Sequence, residues 1–136
     1  MVRQLALPIE MIGAETVRDA SGLALSSRNS YLNDSQRAEA AQLNAALSKL
    51  VAGAKAGRTD WQRLEHEAQE FLTARGWRPD YVAIRRQSDL RESSTLRDPS
   101  MLRDPSMLRD PSTAEPLVAL AAARLGGTRL IDNLEF

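Results

Sequence analysis

Two residue types that build many protein sites are almost missing from this sequence. Cysteine is absent from the 136 residues, and histidine occurs once, at His66. Without cysteine there are no disulfides, thiolate nucleophiles or sulfur-dependent zinc sites. With one histidine, a catalytic triad or a histidine-based metal cluster would depend on His66 alone. His66 lies on the charged face of a predicted helix, so we interpret it as a surface histidine and predict no metal ligands.

Aromatic residues and net charge are also scarce. Aromatic residues make up 4% of the chain, and 18 basic residues balance 18 acidic ones. The core must therefore consist mainly of Leu, Ala, Val and Ile, and the charge gives no reason to expect a nucleic acid or an anionic membrane as partner. Pro8 and Glu10 interrupt the apolar N-terminal stretch, which argues against a signal peptide or a membrane span. We expect a soluble, unprocessed, cytoplasmic domain.

The first 32 residues predict short elements joined by turns. Residues 1–7 are typical of the end of a helix, because Pro8 follows them, and an extended apolar run comes next. Residues 15–18 are compatible with a short strand. The composition of residues 19–22 predicts a turn, after which residues 23–25 form a short apolar strand.

Two helices are predicted in the middle of the chain. Asn33 and Gln36 have the spacing of a capping box, and the apolar stripe that follows should end near Gly53. Thr59 and the glutamine three residues later repeat the capping pattern, and a second stripe ends before Gly76. A short glycine-containing loop joins the two helices, so they should pack against each other.

The last third of the chain contains one clear strand and one ambiguous segment. Residues 81–84 follow Pro79 and are β-branched and aromatic, which predicts a strand that leaves Arg85 and Arg86 at the surface. The alanines of residues 117–125 favour a helix, whereas the glycine pair that follows suggests a hairpin with residues 128–131. Propensity alone favours the helix.

A hexapeptide, Leu-Arg-Asp-Pro-Ser-Met, occurs in tandem between these segments. Its three copies span residues 96–113, with Thr in place of the last Met. Hexapeptide periods can build a β-helix, but three proline-containing units make about one coil, which is too few for a stacked solenoid. We therefore interpret residues 90–115 as a repeat-expanded, flexible loop.

A polar cluster at residues 26–28 is the most chemically suggestive part of the sequence. Ser26 and Ser27 supply hydroxyls, and the planar guanidinium of Arg28 can grip two phosphate oxygens. The alternative is a serine-rich turn whose hydroxyls satisfy the backbone, with Arg28 paired to Asp19 or Asp34. The spacing alone does not decide between them.

Several separated segments carry a resemblance to a known family. They are residues 16–19, 22–29 with Tyr31 and Leu32 after them, 80–81, 122–126 and 128–133. In this order they strongly resemble the C-terminal domain of the pantoate–beta-alanine ligases, the pantothenate synthetases. The resemblance implies an α+β fold, in which a small antiparallel three-stranded sheet, including a C-terminal β-hairpin, packs with two or more helices. It thus replaces the helix at residues 117–125 by a strand.

The resemblance also implies a function for the polar cluster. Residues 1–136 would form a single C-terminal lid and ATP-phosphate-binding domain, in which Leu25, Ser26, Ser27 and Arg28 hold Mg²⁺-ATP. Val17 would make a backbone contact near the adenine. In the family reaction, the pantoate carboxylate attacks the α-phosphorus of ATP, and the amine of beta-alanine then displaces AMP. Arg28, with Ser26 and Ser27, would stabilise the charge that grows on phosphate in the first step.

The family pattern contains an N-terminal nucleotide-binding domain that does not match these residues. The pantoate and beta-alanine pockets belong to that domain, so the isolated chain is expected to be inactive. The family enzymes are cytoplasmic and usually homodimeric. The rival interpretation is a non-catalytic interaction module that uses the Leu-Arg-Asp-Pro-Ser-Met repeat as its binding surface.

Overall fold

The computed structural model describes residues 2, 5–92 and 116–136 of the chain. Its elements are a 3-10 helix (Ser27–Tyr31), α1 (Asp34–Ala40), α2 (Gln42–Lys55), α3 (Trp61–Ala74), β1 (Arg78–Arg86), β2 (Leu117–Leu125) and β3 (Thr128–Glu135). The hexapeptide repeat at residues 96–113 lies outside the described residues. Its interpretation as an expanded loop, and the assignment of residues 1–136 to one domain, therefore stay predictions.

The three strands form one antiparallel sheet in the order β1-β2-β3. Helices α2 and α3 pack on one face of it, so the predicted α+β class and the C-terminal hairpin are confirmed. The helix that propensity favoured at residues 117–125 is wrong. Alternate alanines of β2, Ala119, Ala121 and Ala123, are almost fully buried among the core residues. They are small because a helix lies over this face, not because the segment is helical.

The first predicted helix begins as expected but ends later than expected. The Asn33 side chain accepts from the Gln36 backbone N–H at 2.8 Å, and Gln36 returns the bond at 3.1 Å, which confirms the capping box. The helix is interrupted at Ala41 and continues through Gly53 to Lys55. Gly57, with φ +89°, ends it instead, because the next N–H then reaches the Gly53 carbonyl at 3.2 Å.

The second predicted helix differs at its start and agrees at its end. Its N-cap is Asp60, with no side-chain capping bond, so the capping box predicted at Thr59 is wrong. Arg58 occupies the Asp60 carboxylate with two hydrogen bonds, of 3.0 and 2.7 Å, so that this carboxylate does not cap. Gly76, with φ +85°, ends the helix as predicted, after Ala74.

The core lies between α2, α3 and the helix-covered face of the sheet. Its largest fully buried side chains are Trp77, Leu47, Leu50, Leu72 and Ile84. The expected aliphatic core is confirmed, with Trp77 added to it. The Trp77 indole N–H donates to Glu39 of α1 at 3.1 Å, which satisfies its only polar atom and ties α1 to the core.

Several smaller predictions have different outcomes in the structure. The described part of residues 1–7 forms turns rather than a helix, and residues 15–18 and 23–25 share one isolated bridge, Arg18 with Ala24, instead of forming strands. Arg85 and Arg86 are half-buried rather than fully at the surface, and Arg85 pairs with Glu65 at 3.5 Å. His66 is exposed, as predicted. Among the described residues, no helix has the length and apolarity needed to cross a membrane.

Candidate functional site

The Ser26–Arg28 cluster forms the start of the 3-10 helix. Ser26 is its N-cap, and the Ser26 hydroxyl accepts from the Arg28 backbone N–H at 3.2 Å. The Asn29 side-chain amide donates to the Ala24 carbonyl at 3.0 Å and so links the turn to the residues before it. The Ser26 hydroxyl therefore satisfies a backbone N–H, as the serine-rich-turn interpretation expects. The Arg28 guanidinium takes no part in this bond and lies outside the turn.

Arg28 has none of the partners that a purely structural role would require. The side chain is exposed, and within the described part of the chain its guanidinium makes no ion pair, with Asp19 and Asp34 included. Asp19 is occupied by Ser21, whose hydroxyl bonds it at 2.6 Å and lowers the pKa of that carboxyl. The charge of Arg28 is thus available to a ligand.

A bidentate ion pair fixes the base of the loop that leads to this turn. Arg18 donates to both carboxylate oxygens of Asp132 on β3, at 2.8 and 2.9 Å, and also to the carbonyls of Gly22 and Asn133. The bonds to Asp132 raise the pKa of Arg18. Asn44 of α2 joins the cluster, since the amide orientation that satisfies both groups places its oxygen 3.0 Å from Arg18. The loop is therefore tied to the free edge of the sheet.

A cleft of about 390 Å³ lies between this loop and β3. Its volume is within the range of small-molecule sites. Three predicted site residues, Leu25, Ser26 and Arg28, line it together. Ser27 instead faces a neighbouring shallow depression, which Ser26 also borders. Val17 lies outside the lining, and its carbonyl accepts from the Leu25 N–H at 2.9 Å, so it shapes the loop that carries Leu25.

The other wall of the cleft consists of β3 residues to which the sequence assigned no role. They include Arg129, Ile131 and Asp132. Arg129 donates from Nε to Asp80 of β1 at 2.5 Å, and this bond lowers the pKa of the Asp80 carboxyl. Residues 128–133 form one of the segments that resemble the family. This resemblance was the only feature of the sequence that pointed to a role for them.

The charge of the cleft suits an anion better than a cation. Its charged lining residues are Arg28, Arg129 and Asp132; Asp132 is paired with Arg18 and Arg129 with Asp80, which leaves the positive charge of Arg28 in excess. Across the described ranges, no group of three or more His, Cys, Asp or Glu side chains is placed to hold a metal ion. The arrangement can hold an oxyanion with two guanidinium groups and a serine hydroxyl.

Comparison with known proteins relates this architecture to one family. A sequence model described as pantoate-beta-alanine ligase matches residues 1–135. Two solved structures from Thermus thermophilus, one described as pantoate-beta-alanine (pantothenate synthetase) and one as pantothenate synthetase, are each 33% identical to this chain, with a TM-score of 0.70. Each match covers 98% of this chain and 42% of the Thermus chain, so this chain spans less than half of the length of those proteins.

Proposed function

This chain belongs to the pantoate-beta-alanine ligase family, and on that premise we propose that it supplies the ATP-phosphate-binding surface of such a ligase. The nucleotide lies in the cleft between the Ser26–Arg28 turn and β3, with Mg²⁺ arriving as part of the nucleotide substrate. Leu25 contacts the nucleotide, Ser26 donates to phosphate oxygens in the cleft, Ser27 donates to those that extend into the neighbouring depression, and Val17 contributes backbone near the adenine. The intact ligase is cytoplasmic and homodimeric in this proposal.

One observation carries the proposal. Arg28 is an exposed guanidinium beside a ligand-sized cleft, and it has no ion pair among the described residues. Most arginines of the described surface have a carboxylate partner, as Arg58 and Arg75 do. The capped turn fixes the backbone of Arg28, and its guanidinium has no carboxylate partner among the described residues. Such a guanidinium is suited to bind phosphate.

The proposed reaction consists of two transfers. The pantoate carboxylate attacks the α-phosphorus of ATP, and diphosphate leaves with the electron pair of the broken P–O bond. The beta-alanine amine then attacks the acyl carbon of pantoyl adenylate, which forms the C–N bond and releases AMP. Negative charge grows on phosphate oxygens in the first transfer, and donors that are already in position stabilise that charge without reorganisation. In this proposal Arg28 performs that role.

The surfaces for pantoate and beta-alanine belong, in the proposal, to the family's N-terminal domain. The 136-residue chain alone is therefore expected to make no pantothenate. Orienting carboxylate, amine and α-phosphate together can contribute ~7–11 kcal/mol to lowering a barrier, and one half of a site cannot provide that orientation. Pantothenate formation by the purified chain at the rate of an intact ligase would contradict this division of the site.

Nucleotide binding by the full chain tests the proposal directly. Arg28→Gln should weaken binding of Mg²⁺-ATP about tenfold or more, since a charge-assisted hydrogen bond contributes roughly 1.5–3 kcal/mol. Arg63→Gln is the matched control, because Arg63 loses the same charge on an exposed part of α3. The measurement is isothermal titration calorimetry. Equal affinities for the Arg28 and Arg63 variants would refute the assignment of Arg28.

The catalytic role needs a second test. In a fusion that adds a family N-terminal domain, Arg28→Ala should lower kcat by about 10²–10³ and leave the KM for pantoate nearly unchanged. Arg28→Lys should restore little, because an ammonium cannot grip two oxygens in one plane. A decrease in kcat of less than about threefold would show that Arg28 is only a surface turn residue. No observation on the described residues favours the interaction-module alternative.

A further inference from the structure

Three arginines stand side by side across one end of the sheet. Arg78 of β1 is paired with Arg124 of β2, and Arg124 is paired with Arg129 of β3. Residues that are directly opposite in antiparallel strands place their side chains on the same face. All three are exposed, so they form a single basic row on the face of the sheet away from α2 and α3.

The stability of the sheet does not explain this row. Like charges directly opposite each other on neighbouring strands are destabilising. Among the described residues, the carboxylate in contact with the row is Asp80, at the irregularity between Pro79 and Tyr81, with its oxygens 2.5 Å from Arg129 Nε and 3.8 Å from Arg124 Nε. Three guanidinium groups against one carboxylate leave two positive charges uncompensated in this group.

One member of the row reaches the cleft. Arg129 lines the same cleft as Ser26 and Arg28, at a wall formed by β3. Its hydrogen bond to Asp80 uses Nε, and a guanidinium has five N–H donors, so donors remain for a ligand. Asp80 thus orients Arg129 by one edge of its planar group.

We propose that Arg129, oriented by Asp80 and reinforced by the charges of Arg124 and Arg78, is a second oxyanion-binding residue of this cleft. It takes a ligand with two or more linked phosphoryl groups, because two guanidinium groups on separate elements match separate phosphoryl groups, whereas one phosphate needs a single fork. The inference rests on the proposed function only for assigning these groups to the tail of a nucleoside triphosphate. The concave cleft favours such a small anion over an acidic protein surface.

Inorganic diphosphate is the probe, titrated by calorimetry into the full chain at low ionic strength. Arg129→Gln and Arg28→Gln should each weaken diphosphate binding about fivefold or more, whereas Arg63→Gln should change it less than about twofold. Orthophosphate should bind more weakly than diphosphate and discriminate less between the variants. Absence of diphosphate binding, or equal weakening by all three substitutions, would overturn the proposal.

A second variant separates ligand binding from a structural role. Asp80→Asn removes the compensating charge but keeps a side-chain oxygen that can accept from Arg129 Nε, so Arg129 stays oriented and diphosphate should bind as tightly as before or more tightly. If Arg129 served only to bridge β3 and β1, Asp80→Asn and Arg129→Gln would weaken binding equally, and the proposal would fail. Urea unfolding of each variant confirms that the chain is folded.

The outcome also distinguishes this inference from the proposed function. Diphosphate binding that depends on Arg129, with no added affinity for ATP, would support the anion site and contradict the nucleotide assignment. ATP binding that is lost in Arg28→Gln and unchanged in Arg129→Gln would leave the proposed function standing and overturn the inference.

Discussion

The ion pair between Arg18 and Asp132 should hold the loop before the Ser26–Arg28 turn in place. Besides its contact with the Asn44 oxygen, Arg18 donates two hydrogen bonds to Asp132 and one each to the carbonyls of Gly22 and Asn133. The Asp132 side chain is 4% exposed and that of Arg18 is 20% exposed. Asp132→Asn keeps the shape of the side chain and removes its charge, so it tests the pair with little change in packing.

The structure sets the expected size of the effect. Removing one partner of a buried ion pair costs about 3–5 kcal/mol, because the other charge stays buried. Arg18 retains two backbone carbonyl acceptors and the Asn44 oxygen, and water reaches part of it, so the cost should be lower. We expect Asp132→Asn to reduce the free energy of unfolding by about 2 kcal/mol, which corresponds to a decrease of roughly 1 M or more in the urea midpoint.

A double-mutant cycle isolates the pair. Arg18→Met, Asp132→Asn and the double variant should give a coupling energy of about 1–2 kcal/mol, with m-values unchanged. The control cycle uses Arg63 and Glu67, an exposed pair at 3.2 Å on α3, where coupling should be about 0.5 kcal/mol or less. If the Arg18–Asp132 coupling were as small as the control value, the loop would be held by something other than this pair.

Three further changes test the packing, the electrostatics and the repeat. Ala121→Leu should destabilise the chain by about 1–3 kcal/mol, since it adds volume at a fully packed position, and an unchanged urea midpoint would contradict the account of β2. Hydrogen bonds from Arg75 lower the pKa of Glu39 below 4.5, so the stability that this carboxylate contributes is present above that pH and is lost as pH falls through the folded pKa. Unfolding free energies of the parent chain and Glu39→Gln should therefore differ at about pH 7 and converge as the pH falls below the ordinary range of a glutamic acid; a gap independent of pH would refute this. Deleting residues 96–113 should change stability by less than about 1 kcal/mol, because loop-closure entropy grows only logarithmically, and a loss above about 2 kcal/mol by urea unfolding would show that the repeat is structural.

Capping patterns and glycines predicted the helix ends correctly only where no other side chain competed for the capping group. Asn33 caps its helix because no other described residue competes for its amide oxygen, and Gly76 ends α3 because the left-handed conformation is needed there. Thr59 is not the cap: the N-cap is Asp60, and its carboxylate is bound by Arg58, which also binds Glu67. This competition among neighbouring charged side chains cannot be deduced from the capping-box spacing alone.

Helix propensity gave the wrong prediction for β2 because its alanines serve the packing of the sheet. Alanine is the best helix former, but it is also the smallest residue with a side chain, and a helix packed on a sheet requires small residues beneath it. Ala121 and Ala123 meet that second requirement. The family resemblance corrected the prediction because it carries information about the whole fold, which a local propensity does not contain.

The candidate site was predictable on one wall and not on the other. The chemistry of Ser26 and Arg28 can be deduced from residue types, but the opposite wall comes from residues more than 100 positions later along the chain, as the bonds from Arg18 to Asp132 show. Side chains alternate along a strand, so Arg129 and Asp132, three positions apart, lie on opposite faces of β3. Because β3 is an edge strand of the described sheet, both faces border the cleft. In the proposed site, one strand therefore anchors the loop before the Ser26–Arg28 turn with Asp132 and presents a cation to the cleft with Arg129.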